Sequence, residues 1–204
     1  MPVRNVVKDY THDSFFHASN KGVDGRKIFQ EESDYEFFTV LLERYLSPHE
    51  SKDNYGRRIK TFYDAVELQA YILLPNSFHL VLFINGEGHQ LSEFIRSLCA
   101  AYTTYFNKKY KRSGHLFKGP FRALRLQDND SVVKVSRYVH RRHKDYLSWK
   151  HSSVNHFIGD AQSEWVRPDK LYSFYEWGTY ERYLKNDEDF SQSKEDLRRQ
   201  LADD

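Results

Sequence analysis

The amino-acid sequence predicts an α+β fold: a ferredoxin-like, split β-α-β sandwich with a four-stranded antiparallel sheet, helices on one face and an extra C-terminal helix. Three features predict it. Residues 66–84, VELQAYILLPNSFHLVLFI, form an apolar, β-branched run that Pro75-Asn76 interrupts near its middle, the pattern of two buried strands joined by a tight turn. On either side of this pair lies a segment with helical periodicity, over 31–46 and 91–110. Shorter strand patterns precede the first helix and follow the second, so the order strand-helix-strand-strand-helix-strand is complete before a third helix begins.

Taken in order, residues 1–13 are polar and read as irregular. Ser14 to Asn20 alternates as a first strand, and Lys21-Gly22-Val23-Asp24-Gly25-Arg26 follows as a turn-rich basic loop. Between Glu31 and Leu46, Phe37, Phe38, Leu41, Leu42 and Tyr45 recur at three- and four-residue steps, and acidic residues gather at the start, where the helix dipole favours them. Residues 47–61 are a long polar loop with Pro48, Gly56 and Arg57-Arg58-Ile59-Lys60. In the central pair, strand alternation puts Ser77 and His79 on one sheet face and Phe78 and Leu80 on the other. One face is expected to pack against helices, leaving the other partly free for chemistry or a ligand.

The second helix carries Leu91, Phe94, Ile95, Leu98 and Tyr102 on one side, with Cys99 expected as a small core residue. Gly114 to Leu126 reads as a glycine-punctuated loop feeding the last strand. Asp128 to Asp130 can cap a third helix that turns Val132, Val135 and Val139 inward. Residues 1–150 are expected to form one domain and 151–204 an extension. The extension begins with an aromatic cluster of Trp165, Tyr172, Phe174, Tyr175, Trp177, Tyr180 and Tyr183. Its charged end, 186–204, is expected to be a solvated helix or partly disordered.

At 204 residues and 39% hydrophobic content, the chain can bury a core. The single cysteine excludes an intramolecular disulfide, no stretch approaches the roughly 20 apolar residues that span a bilayer, and no apolar signal core stands at the N-terminus. A reducing cytoplasm is the expected compartment, without membrane association. The net charge of +2 does not by itself predict nucleic-acid binding, so the distribution of charge matters more.

That distribution is uneven. Residues 107–125 hold Lys108, Lys109, Lys111, Arg112, Lys118, Arg122 and Arg125 and no acidic residue, interleaved with Tyr110, His115, Phe117 and Phe121. Cations neutralise phosphates and aromatic faces stack on bases, so this is a footprint for single-stranded or hairpin DNA. On the third helix Tyr138 stands among Lys134, Arg137, Arg141 and Arg142. Lys134, Arg141 and Arg142 lie three or four positions away, on its side of a helix. Cations lower the energy of a phenolate and attract a phosphodiester, so Tyr138 is a candidate nucleophile toward phosphorus.

Five motifs in order resemble those of the REP-associated tyrosine transposases, single-tyrosine members of the HUH superfamily. They are Phe16-His17-Ala18-Ser19-Asn20-Lys21-Gly22; Leu74-Pro75-Asn76-Ser77-Phe78-His79; Ser97-Leu98 with Ala101-Tyr102-Thr103-Thr104-Tyr105-Phe106-Asn107; Ser113-Gly114-His115-Leu116-Phe117-Lys118-Gly119; and Arg137-Tyr138-Val139-His140. The resemblance implies DNA transposition chemistry through a 5′-phosphotyrosine, with Tyr138 as the nucleophile and His79 as the second of two metal-binding histidines. The departures are specific. Ser77 stands where the family has its first metal histidine, Arg142 where it has Asn or Gln as a further ligand, and Pro120 where it has arginine. A serine hydroxyl is a poor substitute for imidazole, and a guanidinium repels a cation. The metal site is therefore expected to be degenerate, with His79 its remaining ligand. Arg142 is a candidate to replace the metal as a fixed charge. His115, His140 and His143 are candidates to rebuild a metal site from elsewhere.

Three functions follow in order of preference. The first is a transposase-derived protein that binds single-stranded or hairpin DNA through the basic stretch together with Arg137, Arg141 and Arg142, its catalysis impaired and no cofactor assigned. The second is an active single-strand endonuclease and strand transferase using Mg or Mn. The third is an RNA-binding module on a ferredoxin-like sheet. Either a monomer or a homodimer is compatible with all three.

Overall fold

A computed structural model of the protein describes residues 13–52, 55–159, 161–175 and 180–201. Trp177 and most of residues 1–13 lie outside this set. Four strands form one antiparallel sheet in the order β2-β3-β1-β4: β1 (Ser14–Lys21), β2 (Val66–Leu74), β3 (Ser77–Ile84) and β4 (Arg122–Leu126). With α1 (Glu32–Leu46) and α2 (His89–Lys109) as connections, this is the expected split β-α-β arrangement. At the start of α1, Glu31 and Asp34 make a reciprocal capping box; the Asp34 carboxylate accepts from the backbone of Gln30 and Glu31.

The two sheet faces build two cores. Phe16, Ala18, Phe78, Leu80 and Leu82 point toward α1 and α2 and pack with Phe38, Leu41, Phe94, Leu98 and Tyr102. Ala70, Ile72, Leu74 and Val81 point the other way, against α3 (Asn129–His140) and the C-terminal segments. That second face is not left free, which corrects the sequence-based expectation. The physical reason is legible in the strands: every residue of β2 and β3 is buried, as in strands covered on both sides.

The C-terminal segments comprise α4 (Asn155–Ile158), α5 (Asp169–Tyr172), α6 (Tyr180–Lys185) and α7 (Asp187–Leu201). Residues 151–153 run along the free edge of β2: Leu73 N–H donates to His151 O at 2.8 Å and Ser153 N–H to Tyr71 O at 3.0 Å. Farther along, Lys170 Nζ reaches both oxygens of Glu67 at 2.9 and 3.0 Å, and Arg167 N–H donates to Leu68 O at 2.8 Å. Phe190, Leu197 and Leu201 of α7 are buried against the second core. No helix among the described residues is long and apolar enough to cross a membrane.

Candidate nucleic-acid interface

The antiparallel register sets the site. Ile72 pairs with His79, His79 with Ser19, and Ser19 with Arg122, so one cross-strand row spans all four strands on the α3 side of the sheet. Adjacent strands lie about 4.8 Å apart, which puts Arg122 two strands, roughly 10 Å, from His79. The row begins in the dry core and ends at the exposed edge strand.

At the buried end, His17 joins His79. Alternation along β1 brings His17 to the α3 side, and its Nε2 lies 3.2 Å from His79 Nδ1, the rings stacked at 5.4 Å. His17 was present in the first sequence motif but carried no assigned role; only the β1-β3 pairing reveals it. Tyr138 on α3 is 1% exposed. Arg142, in the turn after α3, donates to the Tyr138 hydroxyl at 3.2 Å and lies 5.4 Å from its ring centroid. Arg142 also stands near enough to His79 to act on its charge. Burial, then His17, then Arg142 hold the His79 pKa well below the ordinary imidazole range. Arg142 thus bonds Tyr138 and lies within electrostatic reach of His79.

Two imidazoles, His17 and His79, meet here, but the group acting on His79 from the end of α3 is a guanidinium, which repels a divalent cation. His79 Nε2 is buried and has no hydrogen-bond partner among the described residues, so it is one available donor. Ser77 Oγ donates to Asn76 Oδ1 at 3.4 Å. No group of three or more His, Cys, Asp or Glu side chains converges among the described residues. A hard cation needs several oxygen or nitrogen ligands and negative charge. The histidines proposed to rebuild the site are elsewhere. His140 is buried between Tyr180 OH and Ser153 Oγ, the latter at 2.7 Å. His143 stacks on Trp149 at 3.8 Å, and His115 is exposed in loop 112–119.

The other arginines of α3 are spent on packing. Arg137 is 2% exposed; its guanidinium donates to Asn186 O and lies 4.3 Å from the Tyr183 ring centroid and 5.3 Å from that of Phe190. It anchors the C-terminal segment, which corrects its assignment as a phosphate contact. Arg141 lies over Phe190 at 4.2 Å and Tyr146 at 5.0 Å. Lys134 pairs with Asp130 at 2.6 Å. Of the cations placed on the Tyr138 side of the helix, Arg142 bonds the phenol.

At the exposed end, Lys108, Lys111, His115, Lys118, Arg122 and Arg125 all reach solvent. Two members of the predicted footprint do not act as surface cations. Lys109 Nζ binds Asp34 at 2.6 Å and Glu31 at 3.0 Å, tying the end of α2 to the start of α1. Arg112 closes its own loop, donating to Asn107 Oδ1 at 2.6 Å and His115 O at 3.0 Å. The fold adds cations that sequence reasoning left as a turn. Lys118 N–H donates to Lys21 O at 2.7 Å and Val23 N–H to Leu116 O at 3.0 Å, so loop 21–27 lies against loop 112–119. Arg26 and Lys27 are exposed there, alongside Asp24. Gly22 lets loop 21–27 fold back on itself: a Cβ at this position would stand 2.1 Å from Arg26 O.

No family model matches the chain, and no curated protein matches it. A solved structure does: a REP-associated tyrosine transposase bound to a REP hairpin, at a TM-score of 0.52 and 11% identity, over 73% of this chain and 81% of that one. At that identity the likeness is one of fold, and this chain has the fold of a tyrosine transposase.

Proposed function

We propose that the protein binds single-stranded or hairpin DNA through the exposed surface formed by loops 21–27 and 112–119 and β4, and that it descends from single-tyrosine transposases whose strand cleavage it has largely lost. The observation that carries this reading is the contrast along one sheet face. The exposed end is cationic over residues 107–125 without an acidic residue, and at the buried end no three His, Cys, Asp or Glu side chains converge among the described residues. The solved neighbour is itself bound to a hairpin, which supports the same class of ligand. No metal is required for binding.

With about five phosphate contacts, log affinity should fall with log salt at a slope of roughly −3.5 to −4.5. A flat salt response would remove the basic surface as the interface. The loss of cleavage is tested by incubating the protein with hairpin DNA and manganese and running a denaturing gel. No covalent adduct is expected. An adduct that disappears in Tyr138→Phe would establish the second reading, an active nuclease, which the Arg142–Tyr138 hydrogen bond favours by holding a positive charge at the phenolic oxygen. Competition between hairpin DNA and RNA of the same sequence addresses the third; a clear RNA preference would replace DNA as the ligand.

A further inference from the structure

The turn after α3, residues 141–150, carries an aromatic pair that the function above does not use. Trp149 stands at the free edge of β2, where its Nε1–H donates to Leu73 O at 2.9 Å. The rings of Tyr35 and His151 meet the indole in T-shaped contacts at 6.0 and 5.1 Å, so it is held in place from the protein side. His143 lies nearly parallel to it, 3.8 Å between centroids and 17° between planes. Asp145 N–H donates to His143 Nδ1 at 3.2 Å, which fixes the imidazole in that pose. Trp149 is the ring partner of His143 among the described residues, and both side chains are half-buried, with part of their surface in water.

This pair stands at the same end of the sheet as the basic surface. Leu73 lies just before Pro75-Asn76, and that turn meets the chain around loop 21–27: Gly22 N–H donates to Asn76 O at 2.9 Å and Ile28 N–H to Pro75 O at 2.8 Å. From the β2 edge to β4 are three strand spacings, about 14 Å. The charges of the turn are balanced. Lys144, with its side chain 86% exposed, lies 4.0 Å from Asp145, and Lys150 binds Glu32 at 2.8 Å. What the turn offers a ligand is therefore a ring face more than a field. An imidazole stacked on a fixed indole and bordering water is a column that a flat nucleobase can lengthen.

We propose that an unpaired base next to the bound hairpin stacks on the outer face of His143, forming a column of base, imidazole and indole. The inference rests on the DNA-binding reading but concerns a separate surface. At about 3.4 Å per nucleotide, a single-stranded flank of about four nucleotides covers the distance from β4 to the β2 edge.

The test uses the full chain, a plain DNA hairpin, and the same hairpin with a thymidine flank of about six nucleotides at one end or the other. One flank position at a time carries 2-aminopurine, whose fluorescence is quenched by stacking. Wild-type protein should bind one flanked form about tenfold more tightly than the plain hairpin, the scale of one base–aromatic stack, and should quench the probe at one flank position. His143→Ala should remove both the gain and the quenching without changing affinity for the plain hairpin, and His143→Phe should retain both. Equal binding of flanked and plain hairpins overturns the proposal. So does a gain that His143→Ala leaves intact or increases, because the imidazole would then be a cover over Trp149 and not a platform. An equal loss in His143→Phe and His143→Ala also overturns it, since the ring face would be irrelevant. Lys118→Gln with Arg122→Gln reports on the basic surface separately: it should weaken all of these ligands. If it weakens none while the flank gain persists, the basic-surface reading fails and the stacking site stands. If wild-type protein binds none of them, both fail.

Discussion

His79 and Arg122 belong to one cross-strand row, about 10 Å apart, yet they live in different solvents. At the His79 end the polar groups bond one another and are sealed by α3 and the C-terminal segments. At the Arg122 end the cations stand in water, with no carboxylate among residues 107–125 and Asp24 in the adjoining loop. The difference teaches that chemistry and binding are separable on this fold. A reaction centre needs converging donors held dry, whereas a polyanion interface needs only a dense, solvated positive field. In the proposed reading, Ser77 and Arg142 undo the first and leave the second intact.

The largest expected effect breaks or sharpens this division at Arg137. Arg137→Ala should cost about 2–4 kcal/mol in denaturant unfolding, because it removes a buried guanidinium packed on Tyr183 and Phe190. Unchanged stability with a shallower salt slope would return Arg137 to the interface. The converse holds for Lys118→Gln, Arg122→Gln and Arg125→Gln combined. Stability should stay within about 1 kcal/mol, and the salt slope should shrink by roughly two to three. At the buried end, Ser77→His with Arg142→Asn should raise manganese affinity by about tenfold or more in calorimetry; no gain would mean that these positions do not form a cation pocket.

A smaller effect concerns pH. Burial, with His156 nearby, holds the pKa of His140 down to about 3, whereas an unfolded imidazole sits near 6.5. The unfolded chain therefore binds the extra proton first. The contribution of His140 is fully present above about pH 6.5 and is lost as pH falls toward 3, at up to about 1.4 kcal/mol per pH unit. Thermal melts from pH 7.5 to 5 check the sign: the midpoint should fall with acidification. Smallest of all, Tyr138→Phe should change DNA affinity by less than about twofold and stability by about 1 kcal/mol, since the hydroxyl is buried and bonded to Arg142 rather than offered to ligand.

Much of the architecture was legible because local chemistry enforces it. Pro75-Asn76 makes the central turn, the steps from Phe37 to Tyr45 make α1, and Asp128 caps α3 by accepting from Ser131 N–H at 2.7 Å. The α3 surroundings were not legible. Its periodicity marks Val132, Val135 and Val139 as one inward face, yet Arg137 and His140 are buried as well, because α6 and α7 cover the other sides. Periodicity within a helix reports the first surface it meets and carries no information about a second.

The sequence by itself determined the order of elements, the face shared by Ser77 and His79, and the acid-free run that ends at Asp128, since each depends on neighbours in the chain. Only the tertiary structure decided which cations remain in water. Lys109 is claimed by Asp34, 75 positions away, and Arg137 by Asn186, 49 positions away, while His17 meets His79 across 62 positions. A charge keeps its sign wherever the chain folds, but its availability depends on partners that backbone pairing and packing bring from far along the chain.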